Sequence, residues 1–73
     1  MNYRDTDTYK LLDLLTACLV VEGCARPDYI PEDDADGEYT CWQYIHDQGG
    51  EYFLQGFYGR SIANLLEAGV IEP

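Results

Sequence analysis

From Tyr9 to Val21 the apolar residues recur with a helical period: Tyr9, Leu11, Leu12, Leu14, Leu15, Cys18, Leu19 and Val21. A wide apolar face of this kind must be buried against something, so it constrains the fold more than any other feature. Asp5, Thr6 and Asp7 stand just ahead of it. Side chains of these types accept hydrogen bonds from the first free amides of a helix, and acids there meet the positive end of the helix dipole. Gly23 follows, suited to the left-handed residue that closes many helices. The spacing predicts a helix over 7–22, with Leu11, Leu15, Cys18 and Glu22 on one strip and Leu12, Leu15 and Leu19 on the next. The apolar stretch around Ala17–Val21 is far short of the ~20 residues that cross a bilayer. The polar, acidic stretch Met1–Asp7 does not read as a signal peptide.

Pro27 and Pro31 end any continuous helix and open a linker over 23–37. Asp28, Glu32, Asp33, Asp34, Asp36 and Glu38 crowd into residues 28–38, the sharpest shift of composition in the chain. Across all 73 residues, 14 acids face 4 bases, for a net charge of −10. Solubility needs only about 2–8 charges in a small domain, and the excess weakens the compact state by self-repulsion. Arg4, Lys10, Arg26 and Arg60 are scattered, so they form no patch to neutralise phosphates or an anionic membrane surface. Direct nucleic-acid and membrane partners are thereby disfavoured, and a basic protein surface is the natural complement. Neighbouring positions on a helix face lie about 5–6 Å apart, and duplex DNA carries a charge every ~1.7 Å of axis. A row of carboxylates therefore suits some phosphate positions. The bland reading of the same run is a solvated loop with helix-start acids.

Residues 38–48 read two ways. Tyr39, Thr40, Cys41, Trp42, Tyr44 and Ile45 favour strands, and with a turn at Asp47–Gly50 and a second strand over 52–58 they make a hairpin. Equally, Asp34 or Asp36 caps a helix in which Tyr39, Trp42 and Ile45 share a face, ended by Gly49. Beyond them, Ser61 starts a helix carrying Ile62, Leu65 and Leu66, Gly69 stops it, and Val70 and Ile71 fold back against it.

Catalytic and metal chemistry is poorly provided for. A pocket between domains does not fit in one domain of this length, read as a single unit over 1–73. Cys18, Cys24 and Cys41 are an odd set with no paired spacing, which suits a reducing cytoplasm. His46 is the single histidine. Cys41 and Asp47, five and one positions away, do not face it on a helix. The cysteines and His46 lack zinc-ligand spacing. Asp34-Ala35-Asp36-Gly37 echoes a calcium loop without its closing Glu. Gly49, Gly50, Gly56 and Gly59 have no P-loop Lys after them. The reading is no enzyme, no cofactor and no metal. Tyr39, Trp42, Tyr44, Tyr52, Phe53, Phe57 and Tyr58 are too bulky for all to be buried, and Tyr and Trp are favoured interface anchors.

The stretch Trp42–Ile71 resembles a family of short phage-encoded proteins of unassigned function. The resemblance rests on Asp47-Gln48-Gly49, then Leu54-Gln55-Gly56 with Tyr58-Gly59-Arg60, then Ala63, Leu65, Leu66 and Gly69. Asp36, Gly37 and Glu38 match the approach to that family's first helix. It implies helix for 38–48, hence an all-α bundle of three main helices, about 7–22, 38–48 and 60–68, with a short extra turn near 51–57. It also implies a phage setting, and so the cytoplasm of an infected bacterium. By size and charge the chain is similar to phage anti-CRISPR and DNA-mimic inhibitors. The expected partner is a basic nucleic-acid-binding host protein or a CRISPR effector complex. The expected contact residues are Asp28, Glu32, Asp33, Asp34, Asp36, Glu38, Tyr39, Tyr44, Asp47 and Glu51. The alternative is a structural or regulatory phage module that self-associates as a homodimer or binds a partner through its Tyr and Trp residues. Under either reading the chain is expected as a monomer or weak homodimer.

Overall fold

The computed structural model describes residues 2–73, and among them every regular element is helical. A single 3-10 turn, Tyr3–Asp5, leads into α1 (Asp7–Leu11) and α2 (Leu14–Val21). A loop then carries the chain to α3 (Ala35–Asp47), followed by the single turn α4 (Gly50–Phe53) and by α5 (Gly56–Glu67). The helical alternative for 38–48 holds, three residues longer at its start, and the last helix, expected over about 60–68, starts four residues earlier, at Gly56.

The expected leading helix is broken at Leu12. Asp13 is an N-cap whose side chain accepts from the Thr16 amide at 2.7 Å, and Leu12 before it is extended. Asp is among the strongest N-caps because its carboxylate satisfies an otherwise free amide. The break turns Leu12 into the core, with Ala17 and Val20. It leaves Leu11 and Leu15 at 60% and 70% exposure, so the strip built on those two residues faces outward.

Packing centres on α3, which touches the 3-10 turn, α1, α2 and α4. Thr40, Cys41, Trp42, Gln43 and Ile45 are buried, which leaves little of its circumference free. A helix so enclosed is held by its neighbours more than by its own propensity. Tyr3, Val20, Ile30, Tyr58, Ile62 and Ile71 complete the core. Ile30 is 1% exposed and pins the linker, and Ile71 folds the C-terminal segment back as expected. Gly23, Gly49 and Gly69 all take positive φ (73°, 78° and 74°) where helices end, at the positions the sequence assigns to stops. Gly50 answers a different need. A Cβ there would run into the Ile45 side chain and lie 2.9 Å from its carbonyl oxygen. The radius of gyration, 11.0 Å, matches the ~11 Å of one compact body this long.

Candidate functional site

The acidic segment occupies the loop before α3 and that helix's first turn. Asp28, Glu32 and Asp33 are exposed, with no hydrogen-bond or ion-pair partner among the described residues. Asp28 and Glu32 also line a shallow groove with Arg26, Pro27, Ile30 and Pro31. Asp34 is half-buried and works as the cap of α3, accepting from the Gly37 amide at 3.0 Å. Asp36 is exposed but accepts from the Tyr3 hydroxyl at 3.2 Å. Glu38 pairs with Arg26 at 3.2 Å, and Arg26 also donates to the Pro31 carbonyl, which staples the loop to the helix. Asp13 lies close enough to Tyr29, in the same loop, for its charge to help burial raise that phenol. The outward charge of this end therefore rests on Asp28, Glu32 and Asp33, edged by Asp36 and Asp13.

Asp47, at the far end of α3, is spent internally. Arg4 grips it with two hydrogen bonds, Nε to Oδ2 at 2.8 Å and Nη2 to Oδ1 at 2.7 Å. The Tyr9 hydroxyl donates to Oδ2 at 2.6 Å and Gln43 Nε2 to Oδ1 at 3.1 Å. Burial alone would raise this carboxyl, but the hydrogen bonds from Arg4, Tyr9 and Gln43 outweigh it and hold it below its ordinary value. Tyr9 is pushed up to about 12, first by burial and then by Asp47. Gln43 is fully buried and pairs with the Glu72 backbone in both directions, at 2.9 and 2.6 Å. This hub joins the N-terminal turns, α3 and the C-terminal segment. The Gln43–Asp47 spacing of four is a helical neighbour pair visible in the sequence, whereas nothing local marks Arg4, Tyr9 or Glu72 as its partners.

Glu51 is likewise turned inward. Its Oε2 lies 2.7 Å from His46 Nδ1, and both side chains are mostly buried. Tyr39 and Tyr44, expected as outward anchors, are half-buried against Tyr3 and Tyr9, with ring centroids 6.2 and 5.4 Å apart. Trp42 is in the core at 6% exposure, edge-on to Phe57 and Tyr58. The open rings are Tyr52, Phe53 and Phe57 at 88%, 57% and 44% exposure. Tyr52 and Phe53 lie just past the C-terminal end of α3, whose 13 residues span about 20 Å. The free acids lie at its other end.

Cys41 is fully buried, and burial pushes its thiol up to about 12, so it holds no thiolate at neutral pH. His46 faces Glu51 and not Cys41. Among the described residues no group of three or more His, Cys, Asp or Glu side chains is arranged to hold a metal ion, and no helix is long and apolar enough to cross a membrane. No family model, curated protein or solved structure matches the chain.

Proposed function

We propose that this chain is a non-enzymatic, phage-encoded inhibitor that docks on a basic, nucleic-acid-binding surface of a host defence complex. A CRISPR effector complex offers such a surface, and occupying it blocks target DNA in the cytoplasm of the infected cell. One observation carries the reading. In a chain of net charge −10, Asp28, Glu32 and Asp33 stand exposed on one loop without internal partners, while two of the four bases are consumed by Asp47 and Glu38. Unpaired carboxylates fixed on a pinned loop present charge to Arg and Lys with little ordering cost on binding. The Leu54–Arg60 motif supports the phage setting.

Displacement of target DNA from the purified effector complex tests this. The chain should displace DNA at low salt and lose at least about tenfold in potency between ~50 and ~200 mM salt. Changing Asp28→Asn, Glu32→Gln and Asp33→Asn together should abolish displacement while leaving the fold intact. Inhibition indifferent to salt and to these changes would sink the reading.

A second reading, a structural or regulatory module that self-associates, is favoured by the open rings of Tyr52, Phe53 and Phe57 and by exposed Leu15. With Trp42 buried, those residues would carry it. Light scattering separates the two: a stable dimer dissociated by Tyr52→Ala with Phe53→Ala belongs to the second.

A further inference from the structure

A second cleft opens beside α2, α4 and α5, enclosing about 250 Å³ and lined by Cys18, Glu22, Phe53, Leu54, Gln55 and Tyr58. Sites for drug-sized molecules run to about 300–1,000 Å³, so this one has the size for a single side chain. Its chemistry is set by Glu22, the C-cap of α2. The end of that helix already carries roughly half a negative charge on its free carbonyls, and a carboxylate there is electrostatically unsatisfied. The Tyr58 hydroxyl donates to Glu22, which fixes the carboxylate in place. Burial first, then that hydrogen bond, raises the Tyr58 phenol, so it remains a donor. Among the described residues no cation pairs with Glu22. On the other side, Phe53 offers an open ring and Leu54 an apolar surface. A fixed anion next to an open aromatic face, in a chain of net charge −10, complements a flat cation with an aliphatic stem.

We propose that this cleft receives an arginine side chain of the partner: Glu22 accepts from the guanidinium N–H groups while the Phe53 ring stacks on its plane. The inference rests on the docking reading above and adds an anchor in a cleft separate from the groove that Asp28 and Glu32 line. It explains why a ring as large as Phe53 is left open beside a carboxylate that no cation neutralises among the described residues.

The test titrates the isotope-labelled chain with N-acetyl-arginine amide, followed by NMR, with N-acetyl-norleucine amide as the uncharged control. Saturating shifts are expected at the amides of Phe53, Leu54, Gln55 and Tyr58 with the arginine probe and not with the control. Phe53→Ala and Glu22→Gln should each weaken binding by about two- to five-fold. Phe53 is mostly exposed, so its truncation should leave the circular dichroism and melting temperature unchanged. Shifts confined to Asp28, Glu32 and Asp33, equal shifts with the control, or unaltered binding by both variants would overturn the proposal. DNA displacement reads the docking idea separately. If the cleft variants displace DNA as well as wild type while the loop variant fails, the cleft falls and docking stands. If the loop variant displaces normally while the cleft binds arginine, docking falls and the cleft stands.

Discussion

The two ends of α3 use the same side chains for opposite ends. At its C-terminal end, Asp47 is enclosed by Arg4, Tyr9 and Gln43 and serves the fold. At its N-terminal end, Asp28, Glu32 and Asp33 touch no cation among the described residues and serve nothing internal. Asp34, Asp36 and Glu38 lie between these extremes, each with one partner. An acid-rich composition therefore says little about a surface until each carboxylate is assigned to a partner or to solvent.

The largest effect should come from breaking the hub. Asp47→Ala leaves a guanidinium, a phenol and a buried amide short of a partner, which costs about 3 kcal/mol. Against the ~3–5 kcal/mol a domain this size holds, thermal melting should show a chain unfolded or close to it at 37 °C. A melting temperature within a degree of wild type would erase the contrast between the two ends.

The hub should also set the pH limits of stability. The folded Asp47 carboxyl lies below its ordinary 3.8, so its contribution is complete above that value and is lost as pH falls through the folded one. At the alkaline side the sign reverses. Tyr9 is raised from 10.0 to about 12, so its contribution is complete below pH 10 and is lost as pH rises towards 12. Urea midpoints across pH should show a shallower acid limb for Asp47→Asn and a shallower alkaline limb for Tyr9→Phe, each relative to wild type.

Smaller effects should follow the intermediate acids. Asp34→Ala removes the cap of α3 and costs about 1 kcal/mol, while Asp34→Asn, itself a good cap, should be near neutral. Equal losses from the two would mean that charge, not capping, is the contribution of Asp34. Smallest of all, neutralising Asp28, Glu32 and Asp33 together should change folding stability by less than about 0.5 kcal/mol, with any change towards greater stability as self-repulsion falls. Chemical denaturation would show whether the loop is as idle in the fold as its geometry indicates.

The leading and closing helical segments, the stops at Gly23, Gly49 and Gly69 and the return of Ile71 are legible in the order of the residues, because they depend on neighbours within one helical turn. Over 38–48, by contrast, the pattern left helix and hairpin level and the cap open between Asp34 and Asp36. The break at Leu12 was marked too, by a lone Asp13 within an apolar run, but period alone cannot tell a tolerated polar residue from a cap. What stays hidden is long-range. Arg4 meets Asp47 across 43 positions and Glu72 meets Gln43 across 29, pairings that exist only when the core brings the segments together. The same packing buried Trp42, left Phe53 open, turned Asp47 and Glu51 inward and left Asp28, Glu32 and Asp33 to solvent. Sequence determined how much negative charge and aromatic surface this protein carries. Tertiary structure alone decided which of it faces outward, because a carboxylate's partner is chosen by proximity in space and not along the chain.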